Sequence, residues 1–473
     1  MYYTSQARFC QVGLRGERRA TVQRFREYAR GHLNQAVEEL QALCSLPSVS
    51  GRLEALRATA EQVARSLEAS GLKAELFETD GAPIVWGERL VPGRPTVLFY
   101  DHYDVQPPGD EATWRFPPFA PRLYRGRLYG RGVVDNKGNL VARLWALRAW
   151  NALGGGPPVG VRFLVEGEEE SGSPHLGAFV EQHADHLRAD GCIWEAGDIS
   201  GRGRAHLYLG MKGVLSVELE ARGAATDLHS GWATIAPNPA WRLVWALNRI
   251  KSPDEEILIE GFYDRVEGPT HEEIRQARRI PFPEIEVLRN WQVPRFLQGL
   301  TGGNLLLCQF YSPTATINGF EAGRIDEGVR TVVPAVARAR LDFRLVPRQD
   351  PAEVLELLRA HLEREGFGDL QVKPLGMAFR PFRTNPQAPF VRAVVEATRA
   401  AFGCAPAVFA SSGGSGPMAQ VGETLGIPIV GLGIGHAGAN IHGANENLRL
   451  KDLERGIVHV AAILERLAEG LPE

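Results

Sequence analysis

The chain has 473 residues, 44% of them hydrophobic and 23% charged, with a formal net charge of −3. That is ordinary globular composition, with enough apolar material for two or three domains of about 150 residues each. The near-neutral balance excludes binding to nucleic acid or to an anionic membrane driven by bulk charge.

Residues 1–30 carry Arg8, Arg15, Arg18, Arg19, Arg24, Arg26 and Arg30 and read as a solvated, frayed leader. Charges run throughout this stretch and no apolar h-region interrupts them, so no signal peptide is expected. From residue 31 two patterns alternate. Residues 95–100 and 159–165 are short β-rich apolar runs, while 139–150 and 174–185 space their apolar residues as helices do. The middle differs: residues 215–221 and 337–345 alternate apolar with polar, as strands with one wet face do, and helix candidates 239–250 and 351–365 accompany them. Strand–helix alternation returns near the end, with helices expected over 388–402, 418–425 and 451–468 and strands over 407–410 and 427–432. The expected fold is α/β, a large domain with a central mixed sheet flanked by helices, interrupted by a smaller α+β domain. The boundaries read 1–30 leader, 31–210 first part of the large domain, 211–381 inserted domain and 382–473 second part.

No apolar run reaches spanning length, since residues 427–435 are few, Gly-rich and carry Pro428. The five cysteines, Cys10, Cys44, Cys192, Cys308 and Cys404, form no C-x-x-C pair, which argues against a disulfide framework or a cysteine metal knuckle. A reducing, cytoplasmic compartment is expected.

Chemistry-bearing residues gather where strands are expected to end. In the segment 100–107, His102 and Asp104 share a face of extended chain just past an apolar run. An imidazole beside a carboxylate suits a metal-binding histidine oriented by its neighbour, although plain hydrogen bonding explains such a pair as well. Asp135 follows a glycine-crowded turn and precedes a helix, so alone it reads as an N-cap. Glu166, Glu168, Glu169 and Glu170 crowd the end of another run, where they need cations or raised pKa values, unless the loop is simply solvated. Glu195 ends a further run, His229 sits in a turn, and His442 lies in a Gly-rich loop. His102, Asp135, Glu170, Glu195 and His442 are therefore expected on loops at one edge of one sheet. Two imidazoles and three carboxylates suit a pair of divalent cations, zinc foremost, with manganese or cobalt as alternatives.

Taken in order, residues 102–105, 130–138, 169–173 and 442–446 resemble the co-catalytic metallopeptidases that include carnosinase, cytosolic non-specific dipeptidase, aminoacylase and carboxypeptidase G. The likeness runs from about residue 46 to the C-terminus, with the dipeptidase branch nearest through residues 166–173, 227–231 and 343–347. The resemblance implies that Asp135 bridges two metals, that His102 and Glu195 complete one site, and that Glu170 and His442 complete the other. It implies that Asp104 orients His102 and that Glu169 is general base and then general acid toward a water shared by the two metals. It assigns substrate contacts to His229, Asn318, Arg344 and Ser415, with His229 and Asn318 reaching a second subunit's site through a lid domain (the inserted domain) that forms a homodimer. It also implies a cis bond after Asp135.

The activity implied is hydrolysis of the amide bond of a dipeptide or related small substrate. An N-acyl amino acid deacylase is the alternative, and a catalytically inactive binding protein on the same fold a more distant one. Neither nucleic acid nor membrane is expected as a partner. Within the run Glu168-Glu169-Glu170, the directly following Ser171-Gly172-Ser173 selects Glu169 and Glu170. His436 lacks the Asn-Glu that follows His442 and reads as structural. Asn136 stands where many relatives carry a second Asp. The resemblance to carnosinases implies an extra substrate-side histidine within residues 377–386, but none occurs and Arg380-Pro381-Phe382-Arg383 lies there instead, which argues against a carnosine-type substrate. No G-x-S-x-G elbow and no dinucleotide fingerprint occurs.

Overall fold

The structure, a computed structural model, describes residues 20–325 and 328–472. The chain forms two compact units, Met1–Gly210 with Thr384–Ala410 and Gln420–Glu473, and Met211–Arg383 with Ser411–Ala419. The short segment 411–419, assigned by sequence to the large domain, belongs to the second unit.

The first unit is built on an eight-stranded mixed sheet. Its order is Lys73–Phe77, Ile84–Arg89, Gly160–Glu166, Thr96–His102, Gly191–Trp194, Ile429–Gly431, His206–Tyr208, Ala407–Phe409. The central strands Gly160–Glu166, Thr96–His102, Gly191–Trp194 and Ile429–Gly431 run parallel. Parallel strands covered on both faces need near-continuous apolar sequence. Thr96–His102 meets that demand, with Val97, Leu98, Phe99 and Tyr100 all fully buried. Helices Leu33–Cys44, Leu53–Ala69, Lys137–Gly154, Pro389–Phe402 and Leu450–Ala468 contribute apolar side chains to the same core.

The N-terminal reading needs correcting. Residues 20–31 are helical, and Val22, Phe25 and Ala29 are buried in the core at one-turn spacing, so this part is no frayed leader. Apolar residues three to four apart among the arginines carried that signal. Arg8, Arg15, Arg18 and Arg19 lie outside the described residues.

The second unit holds a four-stranded antiparallel sheet ordered Thr314–Ala322, Val336–Leu345, Gly213–Arg222, Gln371–Phe379. Along Val336–Leu345 the side chains of Ala337, Ala339, Leu341, Phe343 and Leu345 are buried. Arg338, Arg340, Asp342 and Arg344 alternate with them, as a sheet with one packed face requires. Helices Pro239–Ile250 and Pro351–Arg364 close that core through Leu243, Ala246, Ile250, Val354, Leu358 and Leu362. Three helices that the sequence reading did not register, His271–Arg279, Glu284–Trp291 and Gly303–Tyr311, also belong to this unit. No helix among the described residues is long and apolar enough to cross a membrane.

Candidate active site

Three neighbouring parallel strands end at one edge of the large sheet, and the chain leaves each of them carrying acids or an imidazole. His102 is the last residue of its strand, Glu169 and Glu170 sit in a short 3₁₀ turn after Gly160–Glu166, and Glu195 directly follows Gly191–Trp194. Arg143, fully buried on the Lys137–Gly154 helix, fastens two of these ends together. Its guanidinium donates to Tyr100 O at 2.7 Å and Trp194 O at 2.8 Å and pairs with Asp101 at 2.7 Å. The loop bearing Glu169 and Glu170 is closed on itself, because Tyr100 and Ser173 hydroxyls both donate to the Glu166 carboxylate, at 2.5 and 2.8 Å. Burial pushes the Glu166 pKa up to about 8.

Asp135 reaches the same place from the glycine turn. It is no N-cap: that position is Asn136, with no side-chain capping bond, and the Asp135–Asn136 peptide is cis. One Asp135 oxygen lies 3.1 Å from His102 Nε2 and the other 3.0 Å from His442 Nε2. His102 Nε2 is also 2.9 Å from Glu195, and His442 Nε2 is 3.2 Å from Glu170. Two overlapping donor sets result, His102–Asp135–Glu195 and Asp135–Glu170–His442, each with its donor atoms within 4.8 Å of one another. One nitrogen and two carboxylates per set suit a borderline divalent cation.

Asp104 organises both sets at once. Its backbone and side-chain oxygens stand 3.1 and 3.3 Å from His102 Nδ1. Its carboxylate also accepts from the amides of Glu169 and Glu170 and from Ser50 Oγ. Holding the far nitrogen of an imidazole fixes which nitrogen faces a metal. In the run of three glutamates, Glu168 turns away to His175 at 2.5 Å, and Glu170 receives Gln106 Nε2 at 2.9 Å. The Glu169 carboxylate has no hydrogen-bond or ion-pair partner among the described residues. Burial, with Glu195, Asp135 and Glu170 close by, holds its pKa well above the usual carboxylate range despite His102. So many acids around two imidazoles fit a centre that compensates negative charge with cations.

Two residues that the sequence reading left without a role complete the frame. Glu446, fully buried, accepts from Arg131 at 2.9 Å, from Gly132 N and Val134 N at 2.9 Å, and from Asp135 N at 3.1 Å. In the sequence it stands only as a companion of His442; buried amides and a buried carboxylate both need partners, and here each supplies the other's. Gln106, four residues beyond His102, carried no signal at all. His436 stays out of both sets: its Nδ1 accepts from Gly438 N, and burial pulls its pKa down to about 4.

His229, Asn318, Arg344 and Ser415 all belong to the second unit. Arg344 donates to Ser415 Oγ at 2.8 Å and pairs with Asp342 at 3.2 Å. Ser415 in turn donates to Gly213 O at 3.1 Å, so the guanidinium fork is braced from two sides. His229 accepts from Gly231 N through Nδ1, and Asn318 stands on the edge strand Thr314–Ala322.

Residues 98–466 match the model of peptidase family M20/M25/M40. The chain belongs to that family. The chain is 29% identical to the human Beta-Ala-His dipeptidase over 391 residues, 80% of this chain and 76% of that one. The Cys-Gly metallodipeptidase of Schizosaccharomyces pombe is 28% identical over 82% of this chain and 84% of its own. An M20 family metallo-carboxypeptidase from Sulfolobus solfataricus superposes with a TM-score of 0.86 at 34% identity, covering 92% of this chain and 99% of that one. This M20 chain is thus an enzyme of metallopeptidase type.

The two histidines of this M20 metallopeptidase give a pH signature. Burial favours a neutral His102, but Glu195 and hydrogen bonds to Asp104 and Asp135 outweigh it and raise its pKa well above the ordinary value. Hydrogen bonds to Asp135 and Glu170 raise His442 to about 10. Raised values favour the protonated imidazoles, so a cation bound through these nitrogens would have to displace protons. Metal affinity is expected to climb as pH rises from the ordinary histidine range toward about 10. Calorimetry in buffers of different ionisation enthalpy should show protons released on binding; a pH-independent affinity without release would contradict this.

Proposed function

We propose that this M20 enzyme is a dipeptidase that uses two divalent cations, zinc foremost, held by His102, Asp135 and Glu195 and by Asp135, Glu170 and His442. The observation that carries the reading is the single Asp135 carboxylate offering one oxygen to each donor set. Once bound, two such cations supply Lewis acidity, lowering the pKa of a water and stabilising charge on the cleaved carbonyl.

The remaining work falls to this chain's own side chains. Glu169, unpartnered and of raised pKa, is the group able to take the water's proton and return it to the leaving amine. Asp104 keeps His102 aimed and the Glu169 amide in place. Arg344 offers a braced fork for the free carboxylate at the substrate's C-terminal end, a geometry that a lysine does not reproduce. Arg344→Lys is accordingly expected to raise KM about 10- to 100-fold with a smaller change in kcat, the loss of roughly one charge-assisted hydrogen bond. Steady-state kinetics on a dipeptide and its C-terminal amide would check it; an unchanged preference for the free acid would refute the role. Residues 380–383 contain no histidine for a carnosine-type substrate, and Arg383 there lies over the Tyr311 ring and near Glu273.

We also propose a homodimer formed through the second unit. The edge strand Thr314–Ala322 exposes Ile317 and Phe320 on either side of Asn318. The Pro239–Ile250 helix exposes Trp241, Val244 and Trp245, with the two indoles stacked at 6.0 Å. An open strand edge beside exposed aromatic rings is a surface that proteins cover. Sedimentation should report a dimer, and a monomer with full activity would refute the roles of His229 and Asn318. The scattered cysteines support a cytoplasmic setting.

The deciding experiment is a panel of dipeptides and N-acyl amino acids, assayed with and without added zinc, manganese and cobalt. Metal-dependent cleavage of dipeptides is expected. Preference for N-acyl amino acids would make the enzyme a deacylase, and inertness toward all substrates with metal bound would make it a binding protein.

A further inference from the structure

A second concave feature lies in the first unit, built by residues that the active site does not use. It is a cavity of about 280 Å³ between the N-terminal helix, the end of Pro389–Phe402 and the start of Leu450–Ala468. Four cationic side chains line it, Arg26, Arg30, Lys451 and Arg455, against one carboxylate, Glu454.

The cations are only partly compensated. Arg26 spends one nitrogen on a neutral acceptor, Ala401 O at 3.1 Å. Lys451 has no hydrogen bond or ion pair among the described residues. Arg455 reaches Asp452, but Asp452 is already paired with Arg449. Only Arg30 has a carboxylate largely to itself, Glu454 at 2.8 Å. Arg26 and Arg30 lie one helical turn apart and so share a face. Gly203 leaves room for the Arg455 guanidinium, which a Cβ there would approach to 3.0 Å. Phe402 adds an apolar wall.

Concentrated like charge in a concavity is unfavourable unless an anion enters, and guanidinium forks match the oxygens of a phosphoryl group. We propose that this cavity binds a small phosphate monoester, its phosphoryl group among Arg26, Lys451 and Arg455 and its organic part against Phe402. The site gives the arginine-bearing N-terminal helix a task apart from peptide hydrolysis.

The test titrates phenyl phosphate into the metal-loaded, full-length enzyme by calorimetry at low ionic strength. One saturable site per chain is expected, weakening as salt is added. Lys451→Glu reverses an unpaired, exposed charge, and Arg30→Gln leaves Glu454 facing the cavity without its partner. Each should weaken binding at least about tenfold while leaving turnover intact. Inorganic phosphate should bind more weakly, because it lacks a ring for Phe402. Absence of saturable binding at millimolar phenyl phosphate would overturn the proposal. So would an affinity in both variants equal to that of the parent enzyme, which would place the anion elsewhere, for example at the metals. Inorganic phosphate binding as tightly as the ester would overturn the ester assignment.

Discussion

Replacing Glu169 with Gln is expected to lower kcat by about 10²- to 10⁴-fold while leaving the metal content unchanged. The substitution keeps the size of the side chain and removes only its ability to carry a proton. Glu169 belongs to neither donor set, and its backbone amide, the group that Asp104 holds, is retained. Loss of activity should therefore come without loss of metal, as read by elemental analysis of the dialysed protein. Activity and metal falling together would make Glu169 a ligand instead. Glu170→Gln is the contrasting variant: Glu170 stands 3.2 Å from His442 Nε2, and its replacement should weaken metal binding directly.

The second large effect is on stability. Glu446→Ala is expected to destabilise the metal-free protein by about 3–5 kcal/mol, the usual cost of leaving a buried charge without its partner. Arg131, 1% exposed, would lose its carboxylate, and the amides of Gly132, Val134 and Asp135 would lose their acceptor. Total stabilities of single domains are about 5–15 kcal/mol, so much of the margin would go. Because Arg131 also donates to His442 O at 3.2 Å, metal affinity should fall as well. Glu446→Gln keeps one acceptor oxygen and the packing, and should lie between. Urea denaturation would decide it: a midpoint for Glu446→Ala close to that of the parent would show the turn to be held by other means.

The gathering of His102, Glu170, Glu195 and His442 was legible because apolar runs of strand length announce where the strands of the large sheet end, whereas Asp135 comes in from a glycine-rich turn after a separate small sheet. Residues at those ends share an edge whatever their separation in sequence. What could not be read was the supporting frame. Glu446 acts through backbone amides, which leave no mark in a side-chain pattern. Arg143 looks like any helical arginine until the two carbonyls that it joins are placed. The N-terminal helix was missed for a different reason. Its arginines dominated the composition and hid Val22, Phe25 and Ala29, whose spacing alone told of a buried face. Of the three helices between residues 271 and 311, His271–Arg279 offers only Ile274 and Ala277 as apolar side chains, while Gly303–Tyr311 packs its apolar residues in a short run without a polar face to mark the helical period. Ile285, Trp291 and Leu297 in this region remain exposed, so no strong periodicity marks a core-facing stripe.

Adjacent strands in a sheet stand about 4.8 Å apart, a spacing fixed by main-chain hydrogen bonds. His102 and Glu195 leave two such neighbours, clamped by Arg143. The distance between these two groups is thus ruled by backbone geometry and owes little to the identity of the surrounding side chains. Loops elsewhere on this unit could therefore change length or sequence without altering the span between His102 and Glu195.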